Sequence, residues 1–292
     1  MKTKSSSGDV ILTRFIYVLL AILGLIAVYP FIYVVSSSLS SGRMVDMGQV
    51  LLFPKEFTVD AYEFVLQDTV FWTSYANTLF YTFFGVAWSM LLSAPGAYVL
   101  SRKRLWGRRF FNFLLVFTMW FDAGMIPAYL NYQSLGVIDS RWGIVIAFGV
   151  QAFNIILLRN YFESIPESLE ESSMIDGATD FRIFFNIFLP LSKPSLVTVI
   201  LYYGIGRWNG FFWTMVLLRD INKTPLQVYL RKMIIEQNQL AEEVAKNIQT
   251  ASYSADTVIY AIIVASMIPV IIVYPYIQKY FTKGIMVGGV KE

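Results

Sequence analysis

The chain has 292 residues, of which 56% are hydrophobic and 15% are charged; the net charge is +3 and the mean hydropathy is +0.56. Because a soluble domain carries about 25% charged residues, this composition excludes an ordinary soluble protein and predicts a chain surrounded by lipid. The absence of cysteine and histidine excludes disulfides, thiolate or imidazole zinc sites, cysteine nucleophiles and histidine proton carriers, so neither a metal site nor a catalytic residue is predicted.

Six apolar segments reach the length of a membrane span, which is about 20 residues at about 1.5 Å rise per residue. The predicted spans are Leu12–Ser36, Phe71–Leu100, Phe110–Leu130, Trp142–Leu158, Ile187–Val216 and Thr257–Tyr280. The first apolar run is too long for a signal peptide and no A-x-A-like cleavage site follows it, so it is predicted to be retained as a helix. We therefore predict an all-α membrane protein with about six spans in a single transmembrane domain, residues 1–292.

Clusters of basic residues at the ends of the spans predict the orientation. These residues are Lys2, Lys4 and Arg14; Arg102, Lys103, Arg104, Arg108 and Arg109; and Lys279, Lys283 and Lys291. An even number of spans puts the three clusters on one side, which the positive-inside rule identifies as the cytoplasm, with both termini there. The clusters are therefore topology signals and predict no nucleic-acid partner.

This topology leaves two sizeable external segments, at about 37–70 and 219–256. The second contains a polar, helix-favouring stretch, Glu236–Asn247. It is too polar to insert in the membrane and longer than a minimal turn. It is expected either to contact a partner protein or to be a solvated connector.

The internal loop at about 159–186 is acidic, unlike the other internal loops. Its acidic residues are Glu163, Glu167, Glu170, Glu171, Asp176 and Asp180. Ser164 as N-cap, Pro166 in the first turn and Glu167 in a capping box predict a short helix that ends near Gly177. Such a helix is expected either to lie on the membrane surface or to dock with another protein.

The same loop carries a motif with a defined spacing. It has Glu171-Ser172-Ser173, then Gly177 after three residues, then Ile187, Leu189 and Pro190 after nine more. This resembles the EAA loop of ATP-binding-cassette (ABC) importer permeases, which has Glu-Ala-Ala, three residues, Gly, nine residues and Ile-x-Leu-Pro. The departure is Ser172-Ser173 in place of Ala-Ala, a change of one small pair for another.

Further segments resemble the carbohydrate branch of these permeases, the MalG-like group, and within it the LplC-like subgroup. The segments are 124–127, 159–162, 175–178, 189–194, 208–209, 274–281 and 283–284. Members of that subgroup handle complex oligosaccharides and polysaccharides, including uronate-containing ones such as alginate. The resemblance extends over nearly the whole chain.

The resemblance implies a type I ABC importer permease fold with a cytoplasmic coupling helix, in the bacterial cytoplasmic (inner) membrane. It implies a second, MalF-like permease subunit, two cytoplasmic ABC ATPase subunits, an extracytoplasmic solute-binding protein and a sugar substrate. The residues that would couple to the ATPase are Glu171, Ser172, Ser173, Asp176, Gly177, Ile187, Leu189 and Pro190. Because the chain has no Gly-x-x-x-x-Gly-Lys-Ser/Thr loop, no cofactor is expected on it; ATP and Mg²⁺ would belong to the ATPase subunits.

The fifth predicted span combines Tyr203, Arg207, Trp208 and Asn209. Aromatic rings stack on pyranose faces and amides match hydroxyl pairs, so a sugar path is one interpretation; an interfacial aromatic belt is the other. A charge such as Arg207 costs at least about 2.5–3.5 kcal/mol within a span. Arg207 is expected either to pair with Asp122 of the third span or to bind a uronate carboxylate through its planar fork.

Two other classes of protein are alternatives. An ion-coupled secondary transporter usually places carboxylates or histidine inside the membrane and often has inverted repeats, but the predicted spans contain Asp122 as their acidic residue and no repeat is apparent. A membrane-embedded enzyme needs polar catalytic groups at one depth, and no such set is visible. The sequence favours a permease subunit of an ATP-driven, binding-protein-dependent importer of oligosaccharides or polysaccharides.

Overall fold

The computed structural model describes residues 7–236 and 252–288, and every regular element within them is helical. The α-helices are α1 Ser7–Ser38, α2 Gly42–Asp46, α3 Asp60–Gln67, α4 Thr69–Ser101, α5 Arg108–Trp120, α6 Met125–Ser134, α7 Arg141–Ala147, α8 Ala152–Glu163, α9 Glu167–Ile175, α10 Asp180–Ile183, α11 Leu189–Leu191, α12 Lys193–Trp208, α13 Phe212–Leu217, α14 Leu226–Ile235 and α15 Ala255–Gly288. A π-helical turn, Phe184–Phe188, joins α10 to α11, and a 3₁₀ turn, Ile221–Lys223, precedes α14.

Three helices are long and apolar enough to cross a membrane, and three bent helix pairs reach that length together. The helices give the spans Gly8–Ser38, Thr69–Ser101 and Ala255–Pro275, and the pairs bend by 116° between α5 and α6, 49° between α7 and α8, and 83° between Asp180–Leu191 and α12. Six spans result if each bent pair is one span, which agrees with the predicted all-α membrane fold.

The third and fourth predicted spans are each divided into two helices by a bend. At the first break Gly124 has φ +86°, a value that suits glycine, and Asp122 Oδ1 accepts a hydrogen bond from its N–H at 2.8 Å. At the second break Gly149 lies against Trp88, and a Cβ there would be 2.7 Å from the indole nitrogen. Both breaks therefore depend on glycines that permit a turn or a close approach.

The fifth predicted span is wrong at both ends. The helix begins at Lys193 and ends at Trp208, whereas Ile187–Val216 was expected. Pro194 gives the start its physical reason, because its ring has no N–H to donate and crowds the carbonyl four residues earlier. Beyond Trp208, Asn209 and Gly210 end the helix before α13 begins.

The contacts group the chain into two compact units, 1–69 with 230–268 and 70–229 with 269–292. The single domain over 1–292 stays a prediction. In the first unit the expected external segment 37–70 is folded: Gly42 N–H donates to the Ser252 carbonyl at 2.6 Å, and the Ser252 hydroxyl donates to Asp60. Residues 8–32 of α1 are exposed around the whole helix, so its apolar surface is available to lipid or to another subunit.

The second unit has a buried core that runs along α4. Near the end of α4, Tyr98 packs with Phe162 of α8 and with Phe184 and Phe188 of the π-helical turn. Near the start of α4, Tyr81 belongs to a second cluster with residues from α7 and α13. The unit therefore has two ends, and each end holds a different loop system against α4.

Candidate functional site

The acidic loop folds into α9, α10 and the turns that follow them. The helix expected near Ser164 begins later, because Pro166 is the N-cap of α9 and Ser164 is the C-cap of α8, where its hydroxyl donates to the Tyr161 carbonyl at 2.7 Å. The predicted capping box at Ser164 is therefore wrong. The expected end is correct: α9 stops at Ile175, and Gly177 follows with φ +77°, a conformation that favours glycine.

Ion pairs tie this acidic loop to the basic loop between α4 and α5. The pairs are Arg102–Glu170, Lys103–Glu167, Arg104–Asp180, Arg104–Glu170 and Arg108–Glu163. The Lys103 hydrogen bond also lowers the pKa of Glu167 below its usual value. The acidic composition of the loop, which the positive-inside rule does not explain, follows from these contacts within the chain.

Arg102 is the buried centre of the network. The side chains of Arg102 and Glu170 are each 10% exposed. The Arg102 guanidinium also donates to the Phe162 carbonyl at 3.2 Å and lies 4.3 Å from the centroid of the Phe188 ring. This one side chain thus joins the end of α4, the end of α8, α9 and the π-helical turn. It can do so because a planar guanidinium donates several hydrogen bonds and also stacks on an aromatic ring.

The network leaves one face of the loop without partners. Glu171 and Asp176 are exposed and form no ion pair with any described residue. Beside them Ile175 is 86% exposed and Phe181 is 78% exposed. A protruding surface with two free carboxylates and two apolar side chains suits a protein partner with a basic, partly apolar groove. We call these four residues and Gly177 the knob.

The other motif residues lie outside the knob, within α9 or in the segment after it. The hydroxyls of Ser172 and Ser173 both donate to the Leu169 carbonyl, at 3.3 and 2.7 Å, so the serines that replace alanines are satisfied inside the helix. Ile187 and Leu189 are half-buried against the core around Tyr98. Pro190 is exposed in α11.

Arg207 is the penultimate residue of α12 and contacts the break between α7 and α8. Its guanidinium donates to the carbonyls of Ile144 at 2.9 Å, Val145 at 3.1 Å and Phe148 at 2.6 Å. Ile144 and Val145 lie in the last turn of α7, where carbonyls lack the usual intrahelical partner, and Phe148 is the C-cap of α7. Arg207 therefore satisfies a helix terminus, and the expected ion pair with Asp122 is not formed.

Tyr203, one turn earlier on α12, contacts the other side of the same break. Its hydroxyl shares a hydrogen bond with Ser93 at 2.6 Å and accepts the Gln151 N–H at 3.1 Å, at the start of α8. Tyr203 is 1% exposed. Together Tyr203 and Arg207 provide the polar groups that non-helical backbone needs at membrane depth.

The other residues expected on a sugar path lie apart from this pair. Trp208 is buried and its ring packs edge-on against Tyr75, with centroids 6.1 Å apart. Asn209 is exposed at the C-cap of α12. Asp122 is exposed in the turn between α5 and α6. The structure thus brings Tyr203 and Arg207 together at one break, and it brings none of the others to that break.

The start of α4 holds the first part of the second external segment. Asn77 Nδ2 donates to the Asn222 carbonyl at 2.7 Å, the Tyr81 hydroxyl donates to the Lys223 carbonyl at 2.8 Å, and Leu226 N–H donates to the Thr78 hydroxyl at 2.7 Å. This part is packed against the helix bundle and is neither an open loop nor a simple connector. Glu236 is described, but the rest of the helix-favouring stretch, 237–247, lies outside the described residues.

Asp139 fastens this external part to the turn between α6 and α7. It accepts hydrogen bonds from the N–H groups of Arg219 and Asp220 at 3.1 Å and pairs with Lys223 at 2.9 Å. The Lys223 hydrogen bond, followed by those from the two N–H groups, lowers the pKa of Asp139 to about 2. Because the folded pKa is depressed, its contribution to stability is complete above about pH 4 and is lost as the pH falls through about 2.

This gives a pH-dependent prediction. On acidification from pH 5, amide hydrogen exchange should show protection of Arg219 and Asp220 falling as Asp139 becomes protonated. In Asp139→Ala, which removes the acceptor oxygen, both amides should be poorly protected throughout, after correction for intrinsic rates. The amide of Leu226 is the internal control, because its acceptor, the Thr78 hydroxyl, does not titrate. Equal protection in wild type and variant at pH 5 would contradict the role of Asp139.

Sequence reasoning predicted a short helix ending near Gly177 but missed the contacts that hold it. It noted the charges of both loops, yet it did not pair Arg102 with Glu170. The available signal was that a basic and an acidic loop were predicted on the same side of the membrane. The carbonyl contacts of Arg207 had no such signal, because backbone acceptors leave no mark in a sequence.

The chain matches known proteins over most of its length. A family model described as "Binding-protein-dependent transport system inner membrane component" matches residues 77–287. The chain is 41% identical to the "Polygalacturonan/rhamnogalacturonan transport system permease protein YtcP" of Bacillus subtilis (strain 168) over 276 residues, which cover 94% of this chain and 96% of that protein. It is 36% identical to "Protein LplC" of the same organism over 268 residues, 92% of this chain and 90% of that protein.

Two solved structures share the fold. A chain from the "Crystal structure of a bacterial ABC transporter involved in the import of the acidic polysaccharide alginate" is 54% identical, with a TM-score of 0.91 over 96% of this chain and 100% of that chain. A chain from a bacterial alginate ABC transporter "in complex with alginate pentasaccharide-bound periplasmic protein" has a TM-score of 0.58 over 92% of this chain and 94% of that one. At 14% identity the second shares the fold alone.

Proposed function

This chain belongs to the family of binding-protein-dependent transport system inner membrane components, and we propose that it is the permease subunit through which an ATP-driven importer admits an oligosaccharide or polysaccharide. The observation that carries the proposal is the knob: Glu171, Asp176 and Ile175 stand exposed on a helix that a buried ion pair fixes to the membrane helices. A surface held in this way transmits the movement of a bound partner to the membrane helices.

In this proposal the partner is one of two cytoplasmic ABC ATPase subunits. The two free carboxylates of the knob form charge-assisted bonds to basic groups in a groove of the ATPase. ATP and Mg²⁺ bind to the ATPase subunits, and this chain supplies no nucleotide site. Closure of the ATPase dimer moves α9 and, through Arg102 and the π-helical turn, the end of α4 and the start of α12. Nucleotide thereby biases the permease between inward and outward conformations.

The proposal includes a second permease subunit and an extracytoplasmic solute-binding protein. The exposed apolar surface of α1, residues 8–32, suits lipid or the second permease. The knob end of the second unit faces the cytoplasm, together with both termini, and the Asn77–Tyr81 end faces the binding protein. This orientation follows from the basic residues Arg102–Arg104 and Arg108 at the knob end.

The proposed substrate is an acidic, uronate-containing sugar chain. Its support is the 54% identity to a chain of an alginate importer and the 41% identity to a permease named for polygalacturonan and rhamnogalacturonan. Of the predicted path residues, Asn209 keeps an exposed amide that suits sugar hydroxyls, whereas Trp208 is buried and packs against the half-buried ring of Tyr75. In this proposal Tyr203 and Arg207 hold the framework of the path.

Substitution of Ile175 tests the proposal. In a strain that co-expresses this chain with its ATPase and sister permease, Ile175→Glu should reduce co-purified ATPase at least tenfold and abolish uptake. The reason is that a buried carboxylate without a partner in the ATPase groove costs several kcal/mol, while about 1.4 kcal/mol is already tenfold in affinity.

Ile221→Glu is the matched control, because Ile221 is an exposed isoleucine at the opposite end of the same unit. It should leave ATPase binding unchanged. An Ile175→Glu complex that retains its ATPase and its uptake would refute the assignment of the knob. The permease purified without partners should show neither ATP hydrolysis nor transport.

A further inference from the structure

An open cavity of about 510 Å³ lies between the start of α5 and the end of α8, outside the knob. Its polar wall includes Arg108, Arg109 and Arg159, and its apolar wall consists of Phe113 and Val116. Arg109, Phe113 and Val116 follow one another at i, i+4 and i+7, so they lie on one face of α5. A cationic mouth therefore continues directly into an apolar groove.

The cavity carries more positive than negative charge. Glu163, its acidic lining residue, is shared by Arg108 at 2.6 Å and Arg159 at 3.5 Å. Arg159 also donates to the Asn112 amide oxygen, so these two guanidinium groups are fixed in place. Arg109 is exposed and makes neither a hydrogen bond nor an ion pair with any residue in the described ranges. Its donors are available to a ligand.

The surroundings of the cavity are those of a membrane surface. It lies at the knob end, where Arg108 also donates to the Leu100 carbonyl at the end of α4. Trp106 is 90% exposed and Phe110 is 60% exposed beside the mouth, and aromatic side chains with this exposure are typical of the lipid–water interface. Farther along α5, Phe113 is 62% exposed, as suits contact with acyl chains.

We propose that this cavity binds the phosphate head group of an anionic phospholipid. Arg109 donates to the phosphate, Arg108 and Arg159 add positive potential, and the N-terminal end of α5, whose N-cap is Gly107, adds the positive end of its helix dipole. One acyl chain lies along Phe113 and Val116. Basic pockets between membrane helices on the cytoplasmic side bind such head groups. The proposed function enters only in assigning the lipid to the cytoplasmic leaflet.

Native mass spectrometry of the purified full chain tests the site. The chain is titrated in neutral detergent with phosphatidylglycerol and, separately, with phosphatidylcholine. Phosphatidylglycerol should bind more tightly, and Arg109→Gln should weaken it about fivefold, the effect of one basic residue at an anionic membrane surface. The phosphatidylglycerol affinity of Arg109→Lys should lie between those of the wild type and Arg109→Gln, because lysine keeps the charge and loses the planar fork.

Arg182→Gln is the matched control, since Arg182 is an exposed arginine at the same end that does not line the cavity. It should leave phosphatidylglycerol binding unchanged. Equal binding of both lipids, or an equal loss in Arg182→Gln, would overturn the proposal. So would displacement of the lipid by inorganic phosphate, which would indicate a site for the free anion.

A protein ligand would give a different result. If Arg109→Gln left lipid binding unchanged but released the ATPase from the co-expressed complex, the cavity would be a protein contact and the lipid proposal would fail. Because lipid binding is measured on the chain without its partners, its failure leaves the proposed function intact. Failure of the Ile175→Glu test would likewise leave the lipid result intact, and only the assignment of the lipid to the cytoplasmic leaflet would lose its basis.

Discussion

We expect Arg102→Gln to abolish uptake while the ATPase subunits still hydrolyse ATP. The substitution leaves Glu170 buried without its closest cation, and losing one partner of a buried ion pair costs about 3–5 kcal/mol. The lower end, about 3 kcal/mol, is expected here, because Arg104 remains 3.5 Å from Glu170. The contact with the Phe188 ring is lost as well. The knob would keep the exposed ion pairs of Lys103 and Arg104 but would lose its buried attachment to the end of α4.

The measurement is the ratio of sugar uptake to ATP hydrolysis in proteoliposomes that contain the whole importer. Lys103→Gln is the control, because its ion pair with Glu167 is exposed and exposed pairs contribute little. It should keep the wild-type ratio. Adding Glu170→Gln to Arg102→Gln removes the unpaired charge and should recover part of the stability but not the coupling. A wild-type ratio in Arg102→Gln would show that the knob is held by other contacts.

We expect Arg207→Gln to reduce uptake of acidic and neutral oligosaccharides by the same factor, about tenfold or more. Three hydrogen bonds from a charged donor contribute about 4.5 kcal/mol even at the low end. This exceeds the cost of about 2.5–3.5 kcal/mol for placing the cation in the membrane, so Arg207 stabilises the fold. The substitution leaves the carbonyls of Ile144, Val145 and Phe148 without their donor and so destabilises the break between α7 and α8. Selective loss of acidic substrates would instead support charge recognition by Arg207.

A glycine on α4 offers a second test, in which the Arg207 residue itself is not substituted. A Cβ at Gly85 would lie 2.8 Å from Nε and 2.9 Å from Cζ of Arg207, so Gly85→Ala should displace the guanidinium and reproduce the uptake defect. Gly96→Ala on the same helix has nothing within 4 Å of its Cβ. It should be neutral or stabilise by up to about 1 kcal/mol through helix propensity. Equal thermal stability and uptake of the two variants would contradict the contact.

The predicted family is confirmed by the match over residues 77–287, and the fold class by the helical fold and the solved relative. These features were accessible because their signals are local. A membrane span shows itself in the hydropathy of one segment, and the EAA-like motif in the spacing of a few residues. The αL conformation of Gly177 was likewise predictable, because a helix end of this kind favours glycine.

The errors arose where one segment depends on another. Gly149 permits the break within 142–158, but the groups that stabilise it, Tyr203 and Arg207, lie about fifty residues later in the chain. Ser164 has the residue type of an N-cap, but the end of α8 uses its hydroxyl. Pairing Arg207 with Asp122 assumed a charged partner, whereas backbone carbonyls at a helix end satisfy a guanidinium equally well.

Local sequence patterns were enough to predict a membrane protein, the number of its segments that reach membrane-spanning length, and the position of the EAA-like loop. Each of these follows from the composition or spacing of neighbouring residues. The breaks in the spans, the buried Arg102–Glu170 pair and the contacts of Arg207 with a helix end became visible from the contacts between distant segments. Those outcomes depend on which polar groups meet across the bundle, since a buried polar group must be satisfied by whatever partner the fold brings within reach.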